Sequence, residues 1–218
     1  LDGVVDKMTN LEKLDCSNNF LERLDLSHNT KLLELFCNKN NLMSLDCSDN
    51  EWLQVIDFSD NMELSDIKQA GLLICNVRWS IYNLGANKTN GKGNKARISE
   101  IGYRAYKCED DCPLGWRLPT GDELKSLISN SKCGSLMDIE GWWFSGNQKI
   151  SDNYENPSVF FPAVYYDGLR YYSYYPSSST GYVTTYTYPL CLQFDFNPPE
   201  MHIGIVESES GIRCVKDE

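Results

Sequence analysis

The sequence predicts an α+β protein in two parts, a short parallel β solenoid over residues 1–74 and a mixed unit with antiparallel strands over residues 75–218. Three observations carry this. The pattern L-x-x-L-x-Φ-x-x-N, with Φ apolar, recurs in register five times between Leu11 and Asn61. The period stops after Cys75, where short segments of alternating apolar and polar residues begin. One capped helical segment, starting at Thr120, stands among those alternating segments.

The repeat units open at Leu11, Leu21, Leu32, Leu42 and Leu53 and close at Asn19, Asn29, Asn40, Asn50 and Asn61. Their step alternates between 10 and 11 residues, so the true period is 21. Each L-x-Φ triplet reads as a short strand with alternate side chains turned inward. A unit of this kind exposes its apolar edges and gains stability only by stacking on the next one. Two triplets per period imply two parallel ladders. The five asparagines form an expected column whose amides satisfy backbone groups at the corners. Cys16 and Cys37 should stack 21 residues apart, with Cys47 on the other half-unit near Leu26. Leu and Phe occupy the same positions elsewhere, so these thiols read as small buried hydrophobes.

In the second part, Val77–Asn83 alternates as a strand and residues 87–97 are a polar Gly/Asn-rich loop. Thr120 is an N-cap and Glu123 completes a capping box. Leu124, Leu127 and Ile128 then share one helix face. Asp122 and Glu123 lie at the positive end of that helix and read as capping groups rather than catalytic ones. Trp142–Ser145, Val159–Pro162, Leu190–Phe196, Met201–Val206 and Gly211–Val215 read as strands and their connections. Leu64, Ile67, Leu72 and Leu73 make the junction a packed one, and the second part is expected to have a core of its own.

Composition narrows the function. The net charge of −11 repels phosphate backbones and excludes nucleic acid as a partner. Lys88, Lys92, Lys95 and Arg97 are spread through a polar loop and make no basic stripe. No apolar run approaches the roughly 20 residues that span a bilayer. There are nine cysteines but no CxxC pair and only two histidines, so no metal site and no cofactor is expected. The chain carries no phosphate-binding loop, dinucleotide fingerprint or metalloprotease motif, and His202 sits alone on an alternating segment. The chain is therefore expected not to be an enzyme.

Residues 165–188 hold nine tyrosines. Tyr165, Tyr166, Tyr171, Tyr172, Tyr174, Tyr175, Tyr182 and Tyr186 are the candidate ligand-binding residues, set among Ser, Thr and Gly. Tyrosine offers large rigid contact area at low entropic cost, and aromatic faces stack on sugar rings. Two readings stand side by side: a binding loop over Tyr171–Ser179, or tyrosines that pave a sheet, as in Tyr182–Tyr188.

The runs Leu14–Asn19 (LDCSNN) and Leu45–Asn50 (LDCSDN) resemble the 21-residue leucine-rich repeats of surface proteins from Bacteroidetes-type bacteria. That resemblance covers about residues 5–65 and implies an exported protein with a protein- or matrix-facing surface. Leu1 opens inside the pattern, which leads to an expectation of further repeats and an export signal or lipid anchor upstream. Asn83-Leu-Gly-Ala86, the C-P-L-G-W-R-L-P-T run at 112–120, G-W-W-F-S at 141–145, Phe161-Pro-Ala163 and R-C-V-K-D at 213–217 resemble the fibrobacter major paralogous domain. This second resemblance covers residues 76–217 and implies a C-type-lectin-like fold, which also hosts formylglycine-generating enzymes. It further implies a Cys112–Cys214 disulfide, closing a loop of about 100 residues worth at most roughly 4–5 kcal/mol. Cys108–Cys133 is a further expected bridge, and Cys191 is expected to stay unpaired. The calcium-dependent sugar motifs of that fold, E-P-N or Q-P-D with W-N-D, are missing, and Cys191 and Cys214 alone do not supply the active cysteine pair of the enzymes.

Together these readings predict a non-enzymatic cell-surface recognition or adhesion protein that binds an extracellular glycan or protein through the Tyr-rich segment or the solenoid face. The alternative is a structural spacer without a dedicated ligand site. The expected location is extracellular or on the outer membrane, with any membrane contact made through an upstream lipid anchor.

Overall fold

The computed structural model describes residues 3–83, 86, 96–97, 112–136, 138–150, 156–162, 165–166, 171–183, 186–194, 200–203, 209–210 and 213–216. The fold is mixed and strand-rich, with parallel and antiparallel sheets and one α-helix among the described residues.

Strands β1 (Lys13–Asp15), β2 (Glu34–Phe36) and β4 (Val55–Asp57) form one parallel ladder, and β3 (Ser44–Cys47) and β5 (Asp66–Gln69) form another. In the first ladder Leu14 pairs with Leu35 and Leu35 with Ile56, so the chain returns to the same place every 21 residues. Leu26, Leu32, Leu35, Leu42, Leu45 and Leu53 are buried, as are Cys16, Cys37 and Cys47. Desolvation holds the Cys16 thiol up at about 11 and the Cys47 thiol at about 12, so both stay protonated.

The asparagines bond in two distinct ways. Asn40 Nδ2 donates to Cys16 O and Cys37 O, both at 3.0 Å, while its Oδ1 accepts from Leu21 N–H. Asn61 repeats this with Cys37 O, Phe58 O and Leu42 N–H. The residues before Asn19, Asn40 and Asn61, namely Asn18, Lys39 and Asp60, are left-handed, with φ of 55°, 55° and 58°. Asn29 and Asn50 reach back differently: Asn50 Nδ2 donates to Leu26 O and Asn29 O, and Asn29 Nδ2 to Val5 O and Met8 O. Their Oδ1 atoms have no hydrogen-bond partner. The two corners of a unit are therefore chemically unequal. The same offsets place Val5, in a short 3₁₀ turn over Val5–Lys7, and Met8 in register with Leu26 and Asn29, so one more unit begins before Leu11.

A turn not anticipated from the sequence recurs beside the strands. Asp15, Asp25, Asp46 and Asp57 each accept from both the backbone N–H and the hydroxyl of the serine two residues on. On the exposed side, side chains about one period apart pair: Lys13 with Glu34 at 2.8 Å, Lys31 with Asn10 at 2.7 Å and Lys68 with Asp46 at 3.1 Å.

The junction at residues 74/75 is a hairpin. Strands β6 (Leu72–Ile74) and β7 (Val77–Trp79) flank Cys75 and Asn76, whose φ values of 53° and 61° are those of a two-residue turn that follows strand twist. The short strand β8 (Ala96–Arg97) follows. Helix α1 (Gly121–Leu127) has the expected capping box: Thr120 Oγ1 accepts from Glu123 N–H, and Glu123 Oε2 accepts from Thr120 N–H. Leu124 and Leu127 are fully buried. The Arg117 guanidinium also grips both Glu123 oxygens, at 2.9 and 2.7 Å, and holds that carboxyl below its usual range.

Strands β9 (Ser131–Leu136), β10 (Ile139–Phe144) and β11 (Val159–Pro162) form an antiparallel sheet in the order β11-β10-β9. Strands β12 (Tyr165–Tyr166), β13 (Tyr171–Val183), β14 (Tyr186–Phe194) and β15 (Glu200–Ile203) form a second, in chain order. Strand β16 (Glu209–Ser210) pairs with β8, and β17 (Val215–Lys216) pairs with β7, giving the order β17-β7-β6. The last strand thus lies against the junction.

The expectation of a separate core for the second part is corrected. Buried residues from Val5 to Val215 form one continuous apolar cluster that includes Leu53, Ile56, Trp79, Phe144, Phe161 and Tyr175. Within it Gln54 Oε1 accepts from Ser158 N–H at 3.0 Å and Ser158 Oγ at 3.1 Å. Gln54 sits between the apolar residues of the fifth repeat and has no apolar role to signal in the sequence; its amide serves the other part.

Candidate functional site

The Tyr-rich segment is sheet, not loop, along the whole of β13. Tyr165 and Tyr166 lie in β12, Tyr171, Tyr172, Tyr174, Tyr175 and Tyr182 in β13, and Tyr186 in β14. The expected loop over Tyr171–Ser179 is therefore corrected: β13 pairs with β14 on both sides of a register shift between Pro176 and Thr180. Tyrosine, serine and threonine suit a pleated surface, and a bulge accommodates the proline. The side chains of Tyr165, Tyr166, Tyr171, Tyr172, Tyr174, Tyr182 and Tyr186 lie outside the described residues.

Tyr175 is a correction of a different kind. It is 1% exposed, so it is a core residue and presents nothing to a ligand. Its hydroxyl donates to Pro162 O at 3.1 Å and accepts from Asn83 Nδ2 at 2.9 Å. Its ring sits 4.5 Å from that of Phe161, and burial pushes the hydroxyl up to about 12.

Beside it Arg213 is also 1% exposed. The guanidinium donates to Ser80 O at 2.7 Å and Phe160 O at 2.6 Å and lies 4.5 Å from the Phe161 ring centre. Burial lowers its pKa to about 10, against the opposing influence of Tyr175. A guanidinium held by carbonyls and an aromatic face joins the end of β7, β11 and the C-terminal segment. The next residue, Cys214, is bonded to Cys112 across 102 residues, with Cα atoms 6.0 Å apart. The Cys112–Cys214 pair is formed, whereas the Cys108–Cys133 pairing lies outside the described residues. Cys75 is free and partly buried.

The described residues also enclose an open cleft of about 610 Å³. It is lined by Ser65 and the whole of β5 together with Phe58, Tyr82, Trp116, Pro113 and Leu114. Phe58 and Tyr82 meet edge to face at 5.4 Å. The Trp116 ring closes on Gly71, where a Cβ would lie 2.8 Å from its edge, and Lys216 Nζ stands 5.0 Å from the ring centre. Leu114 on the rim is wholly exposed, at 103%. These residues were not singled out from the sequence as a site; the exposed leucine beside Trp116 is the one local signal, and the cleft itself arises only where the repeats meet the second part.

Among the described residues no cluster of three or more His, Cys, Asp or Glu side chains is arranged to hold a metal ion, and no helix is long and apolar enough to cross a membrane. Comparison with known proteins adds no relative: no family model, no curated protein and no solved structure matches the chain.

Proposed function

We propose that the chain is a non-enzymatic recognition or adhesion protein of a cell exterior, in which a short leucine-rich-repeat solenoid carries a C-type-lectin-like unit and binds an extracellular glycan or protein. The observation that carries this reading is the gathering of the tyrosines of residues 165–188 into one four-stranded antiparallel sheet rich in serine and threonine. Such a surface combines rigid aromatic area with adaptable hydroxyls. The 21-residue parallel register supports the solenoid, and the Cys112–Cys214 bridge supports an oxidising location. A structural spacer is the second reading, favoured by the repeated internal bonding of Asn40 and Asn61.

Glycan and protein arrays probed with the full chain test the proposal. Simultaneous Tyr171→Ala, Tyr172→Ala and Tyr174→Ala should remove any hit while the melting temperature moves by only a few degrees. Tyr175 is left in place because it holds the core. An array without hits favours the spacer, and hits that survive the triple change put the site elsewhere.

A further inference from the structure

The free edge of β5 is the feature of the molecule that most resembles a socket. Among the described residues the ladder β3-β5 ends there, with β5 paired on one side. Ala70 N–H donates to Cys47 O at 3.2 Å, in step with the Ser44–Asp66 and Asp46–Lys68 pairs. In a parallel ladder the N–H and C=O of alternate residues turn to the same neighbour. Asp66 and Lys68 therefore face β3, and the backbone groups of Ile67 and Gln69 face the other way. Among the described residues nothing bonds them: the hydrogen bonds of Gln69 run through its side chain, to Ser80 Oγ and Ile81 N–H.

Unpaired strand edges are ordinarily covered, twisted away or charged, because they template pairing with another chain. This one instead lines the cleft, together with Phe58, Tyr82, Trp116 and the fully exposed Leu114. The cleft occupies the position that the strand of a following repeat would take. Four residues of β5 span about 13 Å, the length of four residues of an extended partner.

We infer that this cleft binds an extended peptide by strand addition to β5, with alternate apolar side chains of the peptide against the aromatic wall and the others beside Asp66 and Lys68. The inference rests on the reading of the chain as a recognition protein and names its partner as polypeptide. Lys68 is already paired with Asp46, and the whole chain carries −11, so a peptide without net negative charge fits.

The test is fluorescence polarisation with the full chain and a labelled panel of peptides in which Thr alternates with Val, Leu or Phe between terminal lysines. Each peptide is paired with a form N-methylated at alternate residues, and chitotetraose is the glycan probe. At least one parent peptide should bind saturably, and its N-methylated form should bind more than about tenfold more weakly, since two backbone donors are lost. Ile67→Pro removes the outward N–H while sparing the bonds to β3, as proline on an edge strand does. Ile67→Ala removes the same packing but keeps the donor. The proline variant should therefore bind about fivefold or more below the alanine variant, with circular dichroism confirming that both fold. Equal binding of parent and N-methylated peptides, equal binding of the two Ile67 variants, or binding of chitotetraose alone overturns the inference. Array hits lost in the Tyr171/Tyr172/Tyr174 variant but kept by Ile67→Pro overturn it too, while leaving the recognition reading intact.

Discussion

The repeats up to Gln69 and the remainder of the chain solve one problem by opposite means. In the repeats, the carbonyls of Cys16, Leu26 and Cys37 are each met by an asparagine amide 24 residues further on, and the solution recurs from unit to unit. In the remainder, strands distant in sequence are joined by single devices used once: the Cys112–Cys214 bridge, the buried Arg213, and Tyr175 between Asn83 and Pro162. Distributed fastening tolerates loss at an edge. Fastening by unique parts does not.

This contrast ranks the expected costs of substitution. Arg213→Ala leaves Ser80 O and Phe160 O unsatisfied in the core, and should cost about 3–5 kcal/mol in urea unfolding. A value near zero would show that the carbonyls find other donors. Replacing Cys112 and Cys214 together by alanine should cost about 2–5 kcal/mol, with the unfolded chain regaining freedom over the long loop. In the repeats, Asn40→Ala should cost about 2–3 kcal/mol, while Asn19→Ala, at an exposed position of the first unit, should cost under about 1 kcal/mol. Equal losses at the two positions would break the view that internal corners carry the stack.

The smallest effect is one of pH. Asp15, Asp25 and Asp46 are held below their ordinary 3.8, first by the hydroxyl and then by the backbone N–H of Ser17, Ser27 and Ser48. A carboxyl depressed by folding contributes stability above its unfolded pKa, and that contribution disappears as pH falls through the folded value. The unfolding midpoint should thus decline as pH drops below about 4, and Asp15→Asn with Asp46→Asn should flatten the decline. An unchanged pH profile in that double variant would remove these turns from the acid response.

The repeats were legible because each position is stated five times, so a single Cys or Phe in place of Leu does not hide the register. Their Asp-x-Ser turns are spelled in L-D-C-S, L-D-L-S and I-D-F-S, but the leucine pattern does not require them. The unit at Val5–Met8 falls within the resemblance over residues 5–65 but lacks the asparagine that closes the other units, because methionine stands in its place. In the remainder, Thr120 and Glu123 announce the helix locally. The disulfide was reached by resemblance, not by spacing. Arg213 stands in the R-C-V-K-D run, but nothing in the sequence announces its burial, since a lone arginine is ordinarily a surface residue. The cleft was invisible because Tyr82, Trp116 and β5 come together only after both parts have folded.

The sheet β17-β7-β6 sets a timetable for the molecule. Repeat contacts close over 21 residues and can form while synthesis continues. The bonds of Arg213 to Ser80 and of Val215 to Trp79 close over more than 130 residues and wait until residues 213–215 have been made. During that interval the face of Phe161 that Arg213 covers stays open. A chain lacking residues 213–216 would keep the parallel pairing of its repeats but lose the bonds that tie β7 and β11 to this strand.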